Sequence, residues 1–310
     1  MLLRSISRLL AALLLAWGFG CTEPPGPPFQ VATNIWPGYE PLYLAQQMET
    51  LDPRAFRLVE MSSSTDSMRA LRTGMVSAAA LTLDEALTLV QAGVDLRIVL
   101  VMDASRGADA LLGQPGLGSL ADLRGRRVGV ENNAVGAYLL TRALEAAGLE
   151  LKDITAVPLT EGDHEQAFLD RSIDALVTFE PVRSRLLASG ARVLFDSGRI
   201  PDEIFDVLVV RAETARLHPD RIEQLRAAWF FSLDYLRTHP REAIARMAPR
   251  EGLTEAAFRR SLEGLAFPDR DAEARLRRGG LQGPARRLAD IMVRTHLLAH
   301  PVDPSSLFRP

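Results

Sequence analysis

Short apolar runs rich in Val, Ile and Leu alternate with stretches of helical periodicity through the first two thirds of the chain, which restricts the fold to α/β architecture of the parallel type. The first series predicts strands over Phe29–Ile35, Arg57–Met61, Val76–Leu81 and Leu96–Met102. Helices are expected between them, over Pro41–Met48, Asp66–Thr73 and Leu83–Gln91. A second series begins near Leu120. Its strands are Arg127–Glu131, Ile154–Leu159, Asp174–Phe179, Arg192–Asp196 and Phe205–Arg211, and its helices are Val135–Ala147, Asp163–Asp170 and Val182–Ala188. From His218 onwards the pattern is helical and no further strand is expected.

Two series followed by a helical third suggest two lobes. Asp103–Gln114 and Asp196–Leu208 are extended and polar, so they are the natural segments for the chain to cross between lobes. The expected division is 29–104 with 206–310 as lobe 1 and 105–205 as lobe 2. Paired crossings make a hinge about which lobes close on a ligand. The alternative is one doubly wound sheet with an appended helical cap, which would require the second series to extend a sheet already complete.

The N-terminus carries Arg4 and Arg8 ahead of an apolar run, Leu9–Phe19, that ends in small residues before Cys21. That is the layout of a secretory signal peptide over residues 1–20, too short for a membrane-spanning helix of about 20 residues. Cys21 is the only cysteine, so no internal disulfide can form. Its place resembles a lipobox cysteine, which would be acylated, although Gly18 stands where an aliphatic residue is usual. The plain alternative is a non-lipidated leader with an incidental cysteine. Residues 21–28 read as a tether and Pro-rich spacer. Net charge is −3, and no nucleic-acid partner or anionic membrane surface is indicated. The membrane is reached only through the anchor.

In open α/β sheets, ligands sit beyond the carboxyl ends of strands, where helices begin. The first such junction, Ile35–Pro41, offers Trp36 and Tyr39, whose rings can stack on a flat ligand or cover a cation, with Gly38 permitting a tight turn. Ser62–Asp66 follows the second strand, and its hydroxyls, Ser64 and Thr65 among them, cap a helix or bond a ligand. Thr82 with Glu85 forms a capping box and reads as mostly structural. Glu131, Asn132 and Glu180 stand at helix entries in the second series, as does Glu161. Asp103, Ser105, Asp109 and Asp206 lie on or near the crossings. These loops hold several carboxylates and few arginines, Arg106 and Arg183 being the nearest. Acids facing an aromatic loop suit an amine, amidine or aminopyrimidine better than a plain anion.

NIWPGYEPLYLA (Asn34–Ala45), DASRGADALL (Asp103–Leu112), SLADLRGRRVGVE (Ser119–Glu131), IDALVTFEP (Ile173–Pro181) and IFDVLVV (Ile204–Val210) occur in this order. Together they resemble the nitrate/taurine/sulfonate/thiamine-pyrimidine (NMT1/THI5-like) group of periplasmic binding proteins over nearly all of the chain beyond the spacer. The resemblance implies a type II periplasmic-binding fold and delivery of one ligand to an ABC permease with its ATPase, by a monomer without cofactor or metal. It also implies a cleft lined by the WPGY loop, Ser64–Thr65, Asp103–Ser105, Glu131–Asn132 and Glu180. Phe179 departs from the Trp common beside the Glu-Pro, and Val182 follows Pro181.

The group also contains pyrimidine synthases that depend on a lysine-bound pyridoxal phosphate and a cysteine-rich motif. Here Lys152 is the only lysine and Cys21 lies in the leader, so catalysis is not expected. His164 stands in a charged helix, a setting in which a lone histidine reads as a surface residue. A ligand-sensing accessory lipoprotein is the remaining alternative to transport.

Overall fold

The computed structural model describes residues 27–131 and 135–309; the leader, Cys21 and Asn132 lie outside them. Eleven strands fall into two separate sheets among these residues, which excludes the single-sheet alternative. The first sheet takes β1 (Phe29–Thr33), β2 (Phe56–Glu60), β3 (Ala78–Thr82), β4 (Leu96–Ser105), β10 (Phe205–Arg211) and β11 (Leu265–Ala266). Its order is β11-β4-β10-β3-β1-β2. The second takes β5 (Asp109–Gly113), β6 (Arg127–Val130), β7 (Thr155–Pro158), β8 (Ala175–Phe179) and β9 (Arg192–Asp196), in the order β7-β6-β8-β5-β9.

Neither sheet is purely parallel, contrary to the simplest expectation. β1 pairs in parallel with β2 and β3, and β6 with β7 and β8. β10 is inserted antiparallel between β3 and β4, and β5 runs antiparallel to β8 and β9. The reason is connectivity. The chain leaves the first sheet through β4 and re-enters through β10, and a strand returning beside its departing neighbour must run against it.

The helices are α1 (Glu40–Gln47), α2 (Ser64–Thr73), α3 (Leu83–Gln91), α4 (Val135–Ala147), α5 (His164–Leu169) and α6 (Val182–Ala188) in the two series. The C-terminal third adds α7 (Ala212–Leu217), α8 (Pro219–Thr238), α9 (Pro240–Met247), α10 (Glu255–Glu263), α11 (Arg270–Arg275) and α12 (Gln282–Arg294). It also contains the two-residue β11, a strand too short to leave a periodic signal. Strands β3 and β5 are wholly buried, with every residue covered, as continuous apolar runs in central strands should be. Trp229 of α8 is fully buried in the core that α8 shares with α1 and the first sheet.

The crossings are narrower than the sequence suggests. Asp103 lies inside β4 and Leu208 inside β10, leaving residues 106–108 outward and 197–204 on the return. Ser197, fully buried, clasps them: its Oγ lies 2.7 Å from Ser105 Oγ and accepts the Gly107 N–H at 2.6 Å. Arg106 N–H also donates to the carbonyl of Gly264 at 2.7 Å. Two crossings side by side form the only short, shared connection a pair of lobes needs in order to rotate as units.

Candidate functional site

Between the lobes lies a small cavity of about 30 Å³. Its walls come from the strand-to-helix junctions of both sheets, because the carboxyl ends of β1, β3 and β8 all open onto the cleft. The first lobe contributes Asn34, Trp36 and Tyr39 after β1, Ser64 at the start of α2, Thr82 and Glu85 at the start of α3, and Asp206 on β10. The second lobe contributes Asp109, Val135 and Phe179. No arginine, lysine or histidine is among these lining residues.

Tyr39 and Trp36 are held by a tight approach at Gly38. A Cβ there would stand 2.2 Å from Asp103 Oδ2 and 2.3 Å from Trp36 Nε1, so only glycine lets the loop close over the acid. Tyr39 is buried and its hydroxyl donates to Asp206 Oδ1 at 2.5 Å. Trp36 lies edge-on to Phe179 of the other lobe, with ring centroids 6.0 Å apart. The substitution of Phe179 for the expected Trp therefore leaves an aromatic contact across the cleft.

Electrostatically the site is an acid box. Glu85, Asp103, Asp109 and Asp206 are all at most 4 % exposed. Burial raises Asp103 and Asp109 to about 7 and Glu85 to about 8, and it raises Asp206 well above its ordinary range with help from the charge of Asp103. Burial, followed by the charge of Glu131, raises Glu161 to about 8. Burial and the charges of Asp206 and Glu85 also hold the Tyr39 phenol well above its usual value. Such a site lacks positive charge and disfavours its own ionisation.

The residues singled out from the sequence divide into three sets. Trp36, Tyr39, Ser64, Thr82 and Asp206 line the cavity, with Gly38 and Asp103 immediately behind the wall. Thr65 and Glu131 meet instead across the cleft, Thr65 Oγ1 donating to Glu131 Oε1 at 2.6 Å. Ser105 and Glu180 are turned to structural tasks. Ser105 bonds Ser197 and the Asp109 N–H, whereas Glu180 accepts from Arg183 Nη1 and from the Ser184 N–H, both at 3.0 Å. The Thr82 N–H donates to Glu85 Oε2 at 2.9 Å, half of the expected capping box.

Asn34, Glu85 and Val135 do not stand out in sequence as ligand residues, although each lies at or next to a strand–helix junction, and Asp109, legible only as an acid near a crossing, begins β5. Asn34 Nδ2 also donates to Glu161 Oε2 at 3.5 Å, a second bridge between lobes. His164 corrects the surface reading: it is 1 % exposed, packs edge-on against Phe179, and its Nδ1 lies 3.3 Å from Thr178 Oγ1. Burial lowers it to about 4, so it stays neutral beneath the aromatic contact.

The sequence profile of the NMT1-like family matches residues 22–249. The chain belongs to that family. Among its relatives, a protein of Brucella abortus (strain 2308) named as a binding protein is 23 % identical over 206 residues, 65 % of each chain. The match thus spans just under two thirds of that relative's length. Among solved structures, the MOPS-bound alkanesulfonate-binding protein SsuA of Xanthomonas axonopodis pv. citri superposes with a TM-score of 0.78 at 22 % identity, covering 92 % of this chain and 100 % of that one. The desulfurization enzyme DSZB shares the fold at TM-score 0.65 and 17 % identity, over 91 % of this chain and 96 % of its own. These likenesses show the periplasmic-binding fold.

Proposed function

We propose that this NMT1-like chain is an extracytoplasmic solute-binding protein that captures a small nitrogenous, cationic molecule and presents it to an ABC permease driven by its ATPase. In this reading Cys21 is lipidated and anchors a monomer through the 21–28 spacer. Residues 29–104 with 206–310 close against 105–205 about the paired crossings. A ligand that touches both walls of the cavity stabilises the closed arrangement and is released when the lobes part.

The observation that carries the ligand class is the wall of Glu85, Asp109 and Asp206 around three aromatic rings, those of Trp36, Tyr39 and Phe179, without a basic side chain among the lining residues. A sulfonate or nitrate placed there would find no basic side chain among the lining residues, whereas a protonated amine or amidine would supply the counter-charge that lets the buried acids ionise. Binding rather than catalysis is supported by the position of the single lysine. Lys152 is exposed on the second lobe and paired with Glu150 at 2.7 Å, remote from the cavity, so a lysine-bound pyridoxal phosphate does not fit this site.

A thermal-shift panel on the protein lacking residues 1–21 tests the reading, using nitrate, alkanesulfonates, aminopyrimidines, amines and guanidino compounds. Amines, amidines or guanidino compounds are expected to raise Tm. Stabilisation by anions alone would overturn the ligand class, and stabilisation by none would overturn solute binding of these classes.

A further inference from the structure

Asp103 on β4 and Asp206 on β10 are direct partners across the antiparallel pair, and those two strands carry the chain out to the second lobe and back. Partners so placed point to one face, with Cβ atoms about 5 Å apart. Asp206 lines the cavity, but Asp103 does not: the Gly38 backbone and the Trp36 indole stand over it. Asp103 is fully buried, and its carboxyl lies within hydrogen-bonding reach of the Asp206 carboxyl and the Trp36 indole N–H rather than of a basic side chain.

The surroundings of the pair are acidic on the cavity side. Tyr39 and Asp109 face it directly, and Glu85 adds its charge through Tyr39. Asp84, Glu180 and Arg183 act one step further out, on Asp109. The opposite face of the sheet carries a second cavity that Asp103 borders, and there Arg106, Asp202 and Arg287 are the charged groups. Two coupled carboxyls in this position hold their protons as a pair.

We propose that Asp103 is a specificity-determining positioning residue that acts through Asp206: the pair holds one proton in the ligand-free protein, and a cationic N–H group of the ligand binds at Asp206 by replacing it. The displaced proton passes to solvent, and no covalent bond of the ligand changes. The inference rests on the cationic-ligand reading and deepens it, because a neutral or anionic isostere has no charge to take the proton's place. Burial holding Asp103 near 7, and burial plus the charge of Asp103 raising Asp206, agree with one proton held by the pair above about pH 7.

Benzamidinium and phenylguanidinium serve as probes, each joining a flat ring to a cation, with benzenesulfonate as the anionic counterpart. Calorimetric titration of the protein lacking residues 1–21, in phosphate and in Tris, counts the protons released. Wild type is expected to release close to one proton per cation near pH 7.5, with affinity rising by up to about tenfold per pH unit across the range where the pair titrates. Asp103→Asn is expected to release less than half a proton and to flatten that slope, and Asp103→Ser serves if the amide misfolds. Cation binding without proton release, or a wild-type slope in both variants, overturns the role of Asp103 alone. Binding of benzenesulfonate but neither cation, or of no probe, overturns this inference together with the ligand reading.

Discussion

Trp36 of the first lobe and Phe179 of the second meet edge to face across the cleft, their rings at 79°. An aromatic pair of this geometry adds about 0.5–1.5 kcal/mol beyond the area it buries, and it exists only while the lobes are together. Trp36 is also 5 % exposed and belongs to the first-lobe core. Truncation therefore has two effects with different readouts. Trp36→Ala should lower unfolding stability by about 3–5 kcal/mol and weaken benzamidinium binding at least tenfold, whereas Trp36→Phe should retain most of the stability. Lost stability with unchanged affinity in titration calorimetry would make Trp36 a core residue alone.

Gly38 should tolerate no side chain. The distances of 2.2 Å and 2.3 Å to Asp103 and Trp36 require those two groups to move if a methyl is added. Gly38→Ala is expected to cost about 1–3 kcal/mol as overpacking and to weaken ligand affinity more than tenfold, since both displaced groups frame the cavity. Gly162, with open space around its missing Cβ, is the matched control, and Gly162→Ala should stay within about 0.5 kcal/mol of wild type. Equal melts and equal affinities for the two variants would refute the tight approach.

The acid box should make the ligand-free protein less stable as pH rises. Asp103, Asp109, Glu85 and Glu161, raised to between about 7 and about 8 by burial, keep protons in the folded state that the unfolded chain releases near pH 4. Their favourable contribution is complete below pH 4 and is lost as pH climbs through 7 to 8. Each proton held only by the folded state makes stability fall by about 1.4 kcal/mol per pH unit over its window. His164 acts in the opposite sense between about 4 and 6.5, since burial keeps it neutral while the unfolded chain protonates it, but it is one group against four. Urea melts should show a lower midpoint at pH 8 than at pH 5. A midpoint that rises over that interval would contradict the burial of these acids.

Much of this architecture was legible from residue patterns because period and punctuation were strong. α3 begins and ends where the apolar spacing, Thr82 and Glu85 place it, and α2 differs only in its start, where Ser63 accepts the Asp66 N–H as cap. The antiparallel insertion of β10 was not legible, since Phe205–Arg211 has the same apolar character whichever way it runs. The site was partly legible. Trp36, Tyr39 and Asp206 could be placed by their junctions, but Glu180 and Ser105 look the same in sequence whether they face a ligand or a helix end. Glu85 shows the converse: its capping signal was read correctly, and one carboxylate oxygen serves the cap while the residue still lines the cavity. The burial of His164 is not legible because acidic residues, Asp163 and Glu165, flank it, and a helix of six residues is too short for the pair His164 and Phe168, buried one turn apart, to show a period.

Thr65 and Glu131 form the bridge through which closure itself can be tested. The bond from Thr65 Oγ1 to Glu131 Oε1, 2.6 Å long, joins the start of α2 to the exit of β6 in the other lobe. Its energy therefore enters the balance between open and closed arrangements, with no contribution to the folding of either lobe. A hydrogen bond to a charged group contributes about 1.5–3 kcal/mol, enough to change a two-state ratio by roughly 10- to 100-fold. Glu131 is only partly exposed, and burial raises it above the ordinary carboxylate range, so removing the donor leaves a poorly solvated acid in the closed arrangement. Thr65→Val should thus shift the ligand-free protein toward the open arrangement and weaken benzamidinium binding at least several-fold. Glu131→Gln, which keeps an acceptor, should have a smaller effect. Small-angle scattering should show a larger radius of gyration for Thr65→Val without ligand and the wild-type value at saturating ligand, with an unchanged urea midpoint. A Thr65→Val protein that scatters and binds like wild type would show that this contact does not govern closure.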